Sequence, residues 1–153
     1  MKVSEIMASA VQMLDPGENV MKAARVMKEF NIGCVLVGSE GHVAGIVTDR
    51  DIVLRGVAME EDISEMTLAE IMTWDPMFCS VDDTIRQAAR IMQDYQIRRL
   101  PVLAANRTVV GIVSLGDICS HVPANLAGEL FDSLSGRTDH PSNETSNWLR
   151  HPI

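Results

Sequence analysis

An eight-residue pattern occurs twice in this chain of 153 residues. It reads Gly-Ile-Val-Thr-Asp-Arg-Asp-Ile at 45–52 and Gly-Ile-Val-Ser-Leu-Gly-Asp-Ile at 111–118. In each copy an apolar strand leads into a hydroxyl residue, and an aspartate follows three positions later. A hydroxyl and a carboxylate at this spacing satisfy the free backbone N–H groups at the start of a helix. Each copy therefore predicts a junction between a strand and a helix.

The sequence around the two junctions repeats in the same order. Segment 3–7 returns at 68–72, and the hairpin turn of the second copy holds one extra residue. We expect helix starts at 15–18 and 80–83, and helix ends at Asn31 and Gln96. The predicted helices carry apolar residues at helical spacing, namely Val20, Ala23, Ala24, Met27 and Phe30 in the first and Ile85, Ala88, Ala89, Met92 and Tyr95 in the second.

Short apolar runs supply the strands of each half. They lie near 12–14, at 34–37 and at 100–103, besides the strands that enter the two junctions. Each half therefore reads β-α-β-β-α, and neither is long enough to bury both of its helices alone. The predicted fold class is α/β (α+β), with the two repeats packed as a pseudo-twofold pair.

The repeat also sets the expected organisation of the chain. We expect a first motif at 1–57, an acidic linker at 58–66 and a second motif at 67–122. Residues 123–134 predict a C-terminal helix that docks on the module or on a second subunit. Residues 135–153 read as a polar, mobile tail, in which Trp148 is either idle or a docking point.

Composition and charge narrow the function classes. The net charge of −8 argues against nucleic acid. No apolar run is long enough to span a bilayer, and no secretory signal develops at the N-terminus, so we expect a cytoplasmic protein without a membrane partner. The three cysteines, at 34, 79 and 119, read as buried free thiols. The histidines form no ligand cluster and no nucleophile has a neighbouring base, so we expect neither a metal site nor an enzyme.

The duplicated motif resembles a pair of cystathionine β-synthase (CBS) domains, also called a Bateman module, over about residues 1–122. The resemblance implies a regulatory module that binds adenosine-containing ligands in clefts between its halves: AMP, ADP or ATP, S-adenosylmethionine, or NAD(H). It implies that the hydroxyl contacts phosphate or ribose and that the aspartate holds the ribose hydroxyls. Thr48 with Asp51 and Ser114 with Asp117 are then the two candidate pairs. The resemblance also implies homodimers packed through helices.

The two candidate sites differ in charge. Arg98 and Arg99 lie where the first half has Gly33 and Cys34, and guanidinium groups bind phosphate strongly. The simpler interpretation of the two arginines is a solvated rim. In the first half Asp49 repels a phosphate, and Arg50 offsets it. Residues 1–66 hold six cationic and eleven acidic side chains, against five and six in 67–122. We therefore expect the second site to bind a polyphosphate better.

The adenine ring needs apolar neighbours at the strand edges. The sequence suggests Ile46, Ile112, Cys79 and Pro101 for this role. Because the module fills almost the whole chain, its output must pass to an effector protein that the sequence does not name. The alternative function is a scaffold that keeps the fold, binds no ligand and acts only in protein–protein interaction or dimerisation.

Overall fold

A computed structural model describes residues 1–59 and 62–135. Residues 60 and 61 of the linker, and the predicted tail from 136 onward with Trp148, lie outside the described residues. The first half contains β1 (Met13–Leu14), α1 (Val20–Phe30), β2 (Cys34–Ser39), β3 (His42–Thr48) and α2 (Asp49–Asp51), and α2 continues as a π-helical turn (Ile52–Gly56) and a 3-10 turn (Val57–Met59). Then follow α3 (Leu68–Ile71), β4 (Thr73–Trp74), β5 (Cys79–Ser80), α4 (Ile85–Tyr95), β6 (Arg99–Leu103), β7 (Val109–Ser114), α5 (Leu115–Cys119) and α6 (Ala124–Leu134).

Two sheets correspond to the two halves. The first has the strand order β1-β2-β3-β4 and the second has the order β5-β6-β7. Within each sheet a short strand pairs in parallel with the first strand of an antiparallel hairpin. This arrangement confirms the predicted α/β class and the duplicated β-α-β-β-α order. No helix of the described segments is long and apolar enough to cross a membrane.

The helix starts differ from the prediction by a few residues. Helix α1 begins after Asn19, whose side chain accepts a hydrogen bond from the Met21 amide at 2.7 Å, and α4 begins after Thr84. The expected caps at 15–18 and 80–83 were wrong. The side chain of Asp15 accepts from the Gly17 amide, that of Asp83 accepts from the Ser80 amide, and each closes a separate turn before its helix. The predicted ends are correct, since Asn31 and Gln96 both take the left-handed conformation that stops a helix.

The leading segment of each repeat packs on the opposite half. The Val3 amide donates to the Asp83 carbonyl at 2.8 Å, and Ala8 bridges Ile112 in β7. In the same way β4, which follows α3, pairs with β3 of the first half. Two glycines make room for these crossings. A Cβ at Gly45 would lie 2.5 Å from Met72 Sδ, and a Cβ at Gly111 would lie 2.6 Å from Met7 Sδ.

The leading segment of each repeat also contributes buried side chains to the core of the opposite half. Leu68, Ile71 and Met72 are buried in the cluster of the first half, and Val3 is buried in that of the second. A third cluster joins the halves, and Val109 and Ile112 from the second hairpin pack there against residues of β2 and β3. The two halves therefore share a core and cannot be separated without exposing apolar surface.

Helix α6 covers the helices of the second half. It packs on α4 and α5, and Leu130 and Leu134 are 6% and 5% exposed. Within the chain this helix therefore lies on the module, which is one of the two positions that the sequence left open for it. The corresponding helices of the first half carry exposed apolar side chains, namely Phe30, Val53, Leu54, Val57 and Met59.

Candidate functional site

Both repeated motifs form the same junction. Thr48 is the N-cap of α2 and Ser114 is the N-cap of α5, and each hydroxyl accepts from the backbone N–H of the aspartate three residues on. In return Asp51 Oδ2 accepts from the Thr48 amide at 2.9 Å and from its hydroxyl at 2.7 Å. Asp117 Oδ2 accepts from Ser114 at 2.7 and 2.6 Å. One oxygen of each carboxylate is therefore engaged in its own helix cap.

The second carboxylate oxygen distinguishes the two junctions. Asp51 Oδ1 lies 3.7 Å from Nη1 of Arg55, one helical turn away, and the Asp51 side chain is only 15% exposed. At the equivalent place after Asp117 the chain has His121, whose ring nitrogen bonds to the Asp117 backbone carbonyl at 2.8 Å. The Arg55 guanidinium thus faces the Asp51 carboxylate in the first half. In the second half the His121 ring contacts the backbone of Asp117 instead of its carboxylate.

The second junction opens onto a cavity of about 220 Å³. The residues that line it come from the start of β6, the start of α5 and helix α6, and they are Arg98, Arg99, Ser114, Leu115, Gly116, Cys119 and Phe131. Two arginines and a serine named as candidates from the sequence therefore line the same cavity. Phe131, which is 55% exposed, supplies an aromatic wall from outside the two repeats.

Arg99 reaches across to the first half. A Cβ at Gly33 would lie 2.5 Å from Arg99 Nη2 and 3.1 Å from Asp49 Oδ2. The guanidinium therefore occupies the space that the missing side chain of Gly33 leaves, with the Asp49 carboxylate nearby. Arg99 is half-buried at the seam between the halves, whereas Arg98 is exposed, as the solvated-rim interpretation predicts for it.

Arg98 points to the end of α6. Its Nε and Nη2 donate to the Leu134 carbonyl at 3.2 and 3.0 Å. Arg98 lines the cavity and at the same time closes the last turn of a helix. Arg50, in the first half, is exposed, and its backbone amide donates to the Asp49 carboxylate at 2.9 Å.

The expected adenine contacts do not form an open slot. Ile46 is 8% exposed and packs, with Ile112, in the cluster that joins the halves. Pro101 is buried in β6, and Cys79 is 4% exposed in the core of the second half. The suggestion of Cys79 needs correction, because β5 turns its side chain inward, where the sulfur faces the Pro101 carbonyl.

Burial makes the cysteine thiols unequal, and this difference is testable. All three are free. Burial, followed by the charge of Asp83, raises the pKa of Cys79 to about 12, and burial also raises the pKa of Cys34 and of Cys119. The three thiols therefore differ mainly in accessibility, because Cys34 and Cys79 are buried and Cys119 is half-buried. Because the thiolate is the reactive form, we expect iodoacetamide at pH 8 to add one group to the native protein, at the half-buried Cys119, and three groups in urea. Mass spectrometry checks this, and a rapid second adduct on the native protein would contradict the burial of the other two.

A larger cavity of about 690 Å³ lies between α4 and α6. Apolar side chains such as Ala89, Leu126 and Leu130 line it, with Arg86 and Glu129 among its charged neighbours. Ile118 of the second motif lines it, but none of the candidate ligand-binding residues does. The candidate residues Arg98, Arg99 and Ser114 line the smaller cavity instead.

Comparison with known proteins agrees with this architecture. The CBS domain family model matches residues 3–57 and 68–124. The chain belongs to the CBS domain family. The CBS domain-containing protein YhcV of Bacillus subtilis is 32% identical over 139 residues, which cover 90% of this chain and 98% of YhcV. The resemblance and the fold that the sequence suggested are thus confirmed.

Two similar solved structures contain bound ligands or metal ions. The CBS domain pair of MJ0100, in complex with 5′-methylthioadenosine and S-adenosyl-L-methionine, is 28% identical, covers 84% of this chain and 97% of its own, and has a TM-score of 0.71. Hypoxic Response Protein I with two coordinated zinc ions is 31% identical, covers 80% of this chain and 100% of its own, and has a TM-score of 0.70. Within residues 1–59 and 62–135 of the present CBS pair, no three His, Cys, Asp or Glu side chains group as metal ligands.

Sequence reasoning missed three features of the site. Arg55 follows Asp51 by four residues, a spacing at which oppositely charged side chains of a helix meet, so the sequence did contain that signal. Phe131 was assigned only to a docking face. The contact between Arg98 and Leu134 joins residues 36 positions apart, and no local pattern indicates it.

Proposed function

We propose that this CBS pair is a regulatory module that binds an adenosine-containing ligand, with the cavity at Ser114 and Asp117 as its preferred site. The observation that carries the proposal is the convergence of Arg98, Arg99 and Ser114 on one cavity. Guanidinium groups and a hydroxyl suit a phosphate or a charged substituent at the ribose 5′ position. Among the ligands that the family resemblance implies, AMP, ADP and ATP match this charge best.

The hydrogen bonds of Asp51 and Asp117 within their helix caps must be compared with the alternative function, a ligand-free scaffold. Oδ2 of Asp117 is engaged by Ser114, which is the purely structural role that a ligand-free scaffold requires. A carboxylate accepts up to about four hydrogen bonds on its two oxygens. Oδ1 of Asp117 can therefore accept from ribose hydroxyls while the cap stays intact. At Asp51 the same oxygen already faces Arg55, and this supports the weaker first site.

Cavity size limits what the second site holds without rearrangement. Its 220 Å³ is smaller than the usual range for small-molecule pockets of about 300–1,000 Å³. The space suits a phosphate and ribose, and the adenine ring must extend along the seam between the halves. Of the apolar residues proposed to contact adenine, Pro101 and Ile112 are closest in sequence to the residues that line the cavity. We expect the apolar cluster at Ile46 to loosen when a base enters.

A thermal-shift panel of AMP, ADP, ATP, S-adenosylmethionine, 5′-methylthioadenosine and NADH tests the proposal. A ligand at a hundredfold its dissociation constant adds about 2.7 kcal/mol to the free energy of unfolding. We expect the phosphate-bearing adenosines to give the largest shifts. A flat response across the panel would favour the ligand-free scaffold, and the largest shift from S-adenosylmethionine would change the proposed ligand.

Replacing Gly33 by alanine tests the role of Arg99. A Cβ there collides with the end of a flexible side chain, so we expect the free energy of unfolding to change by less than about 1 kcal/mol. The guanidinium must move, and losing one charged hydrogen bond lowers the affinity for AMP about tenfold. Calorimetry and urea unfolding measure the two quantities. Unchanged affinity would remove Arg99 from the site.

The exposed apolar side chains of the first half support a homodimer. Val53, Leu54 and Val57 are 49–61% exposed on one helical segment, whereas α6 covers the equivalent helices of the second half. Large apolar patches mark interaction sites. We expect Leu54→Glu to convert a dimer to a monomer in light scattering while the circular dichroism spectrum stays unchanged. A monomeric wild type would contradict this.

We further propose that the output passes to a separate effector protein, and that the module itself catalyses no reaction. The hydroxyls of Thr48 and Ser114 do have a carboxylate beside them, but in both pairs the two side chains are engaged in a helix cap. Cytoplasmic location, and the absence of nucleic-acid and membrane partners, remain predictions from composition. Affinity capture with and without AMP, followed by mass spectrometry, measures the effector association. A partner list that does not respond to the ligand would contradict regulation by AMP.

A further inference from the structure

The end of helix α6 is held by three side chains of the second repeat. Arg98 donates twice to the Leu134 carbonyl, at 3.2 and 3.0 Å. Gln96 Nε2 donates to the Ser133 carbonyl at 3.3 Å, and Gln93 Nε2 donates to the Ser133 hydroxyl at 3.0 Å. Carbonyls in the last turn have no partner inside a helix, and a cation beside them is favourable. These contacts therefore stabilise the last turn of α6.

Arg98 stands between this turn and the cavity. It lines the cavity with Arg99 and Ser114, and Phe131 of α6 lines the same space. The Arg98 guanidinium directs two donors to one neutral carbonyl. Phosphate accepts two guanidinium hydrogen bonds in parallel, and its negative charge adds an electrostatic attraction that a neutral carbonyl lacks. A phosphate in the cavity thus competes with Leu134 for Arg98.

We propose that Arg98 couples the cavity to helix α6: an adenosine ligand that carries a 5′-phosphate withdraws Arg98 from Leu134 and loosens the last turns of α6. The two hydrogen bonds from Arg98 to the Leu134 carbonyl are called the clamp. An adenosine without a 5′-phosphate binds through its ribose and leaves the clamp intact. The proposal rests on the proposed function. Loosening α6 uncovers Leu130 and Leu134, which are buried against α4 and α5, and so creates an apolar surface that depends on the ligand.

Coupling of this kind is reciprocal. If phosphate binding opposes the docking of α6, then weakening that docking must strengthen phosphate binding by the same factor. Ser133→Ala removes the hydroxyl that Gln93 contacts, outside the cavity. We expect this variant to bind AMP about two- to threefold more tightly than the wild type, because one neutral hydrogen bond is lost from the docked state. Weaker binding by Ser133→Ala would overturn the coupling.

Hydrogen–deuterium exchange on the full chain, read by mass spectrometry, tests the clamp directly. With saturating AMP we expect the amides of 131–134 to exchange about tenfold faster, since a charged hydrogen bond holds this turn. With 5′-methylthioadenosine we expect no change. In Arg98→Gln we expect the amides of 131–134 to exchange fast without ligand, and AMP to cause no further increase. Arg25→Gln, which removes an exposed arginine from α1, is the matched control and should behave as the wild type.

Calorimetry on the same samples separates the possible failures. If AMP binds and α6 exchanges at an unchanged or slower rate, the coupling is wrong while the proposed function stands. If 5′-methylthioadenosine accelerates exchange as much as AMP does, competition for Arg98 is not the cause and the inference is overturned. If no adenosine ligand binds, the proposed function and the coupling both fall.

Discussion

Replacing Gly111 by valine is expected to lower the free energy of unfolding by about 3 kcal/mol. A Cβ at this position would lie 2.6 Å from Met7 Sδ and 3.0 Å from the Ala8 carbonyl oxygen. The methionine side chain can move, but the Ala8 backbone is fixed by two hydrogen bonds of 2.9 Å with Ile112. Overpacking costs about 1–3 kcal/mol, and disturbing the bridge adds about 1 kcal/mol for each lost bond.

Urea unfolding measures this effect, and Gly128→Ala is its control. Gly128 is an exposed glycine within α6, and nothing lies within 4 Å of a Cβ added there. Alanine at such a place in a helix stabilises by up to about 1 kcal/mol. A cost below about 0.5 kcal/mol for Gly111→Val would mean that the leading segment does not lie on the second half. The packing of each leading segment on the opposite half would then be wrong.

The Asp117→Ala substitution is expected to weaken AMP binding by about 10- to 100-fold. Hydrogen bonds to a charged group contribute about 1.5–3 kcal/mol, and 1.4 kcal/mol corresponds to a factor of ten in affinity. Oδ1 of Asp117 is proposed to accept hydrogen bonds from the ribose hydroxyls. Asp117 follows the lining residue Gly116, and the residues that line the cavity include no carboxylate that could replace it. Isothermal titration calorimetry gives the dissociation constants of the variant and the wild type.

Asp51→Ala is the matched control for this substitution. It removes the same reciprocal cap from the other junction, so both variants lose about 1 kcal/mol of stability for the same reason. We expect Asp51→Ala to change the affinity for AMP by less than about threefold, because Arg55 already occupies the free side of its carboxylate. A larger loss from Asp51→Ala than from Asp117→Ala would reverse the assignment of the preferred site.

The features that could be predicted are those set by local chemistry. The motifs at 45–52 and 111–118 determine their junctions through contacts over three residues, and the capping boxes at Thr48 and Ser114 form as the spacing predicts. The helix ends at Asn31 and Gln96 follow the same rule. Apolar periodicity identified the buried faces of α1 and α4, although Phe30 and Tyr95 at their ends remain exposed.

The features that could not be predicted arise between distant segments. The leading segments exchange halves because Gly45 and Gly111 admit close backbone approach, and neither glycine differs locally from one in an ordinary strand. Two-residue strands such as β5 are too short for alternation to show which side faces inward, and this is why Cys79 was assigned to the ligand. The clamp of Arg98 on Leu134 depends on where α6 docks.

The location of bound AMP tests the central claim most directly. Titration of ¹⁵N-labelled protein, followed by amide chemical shifts, reports each backbone site separately. We predict the largest shifts at Ser114, Leu115 and Gly116 and at the start of β6, with small shifts at 48–51. The largest shifts at 48–51, or none at either junction, would contradict a phosphate-binding cavity in the second half.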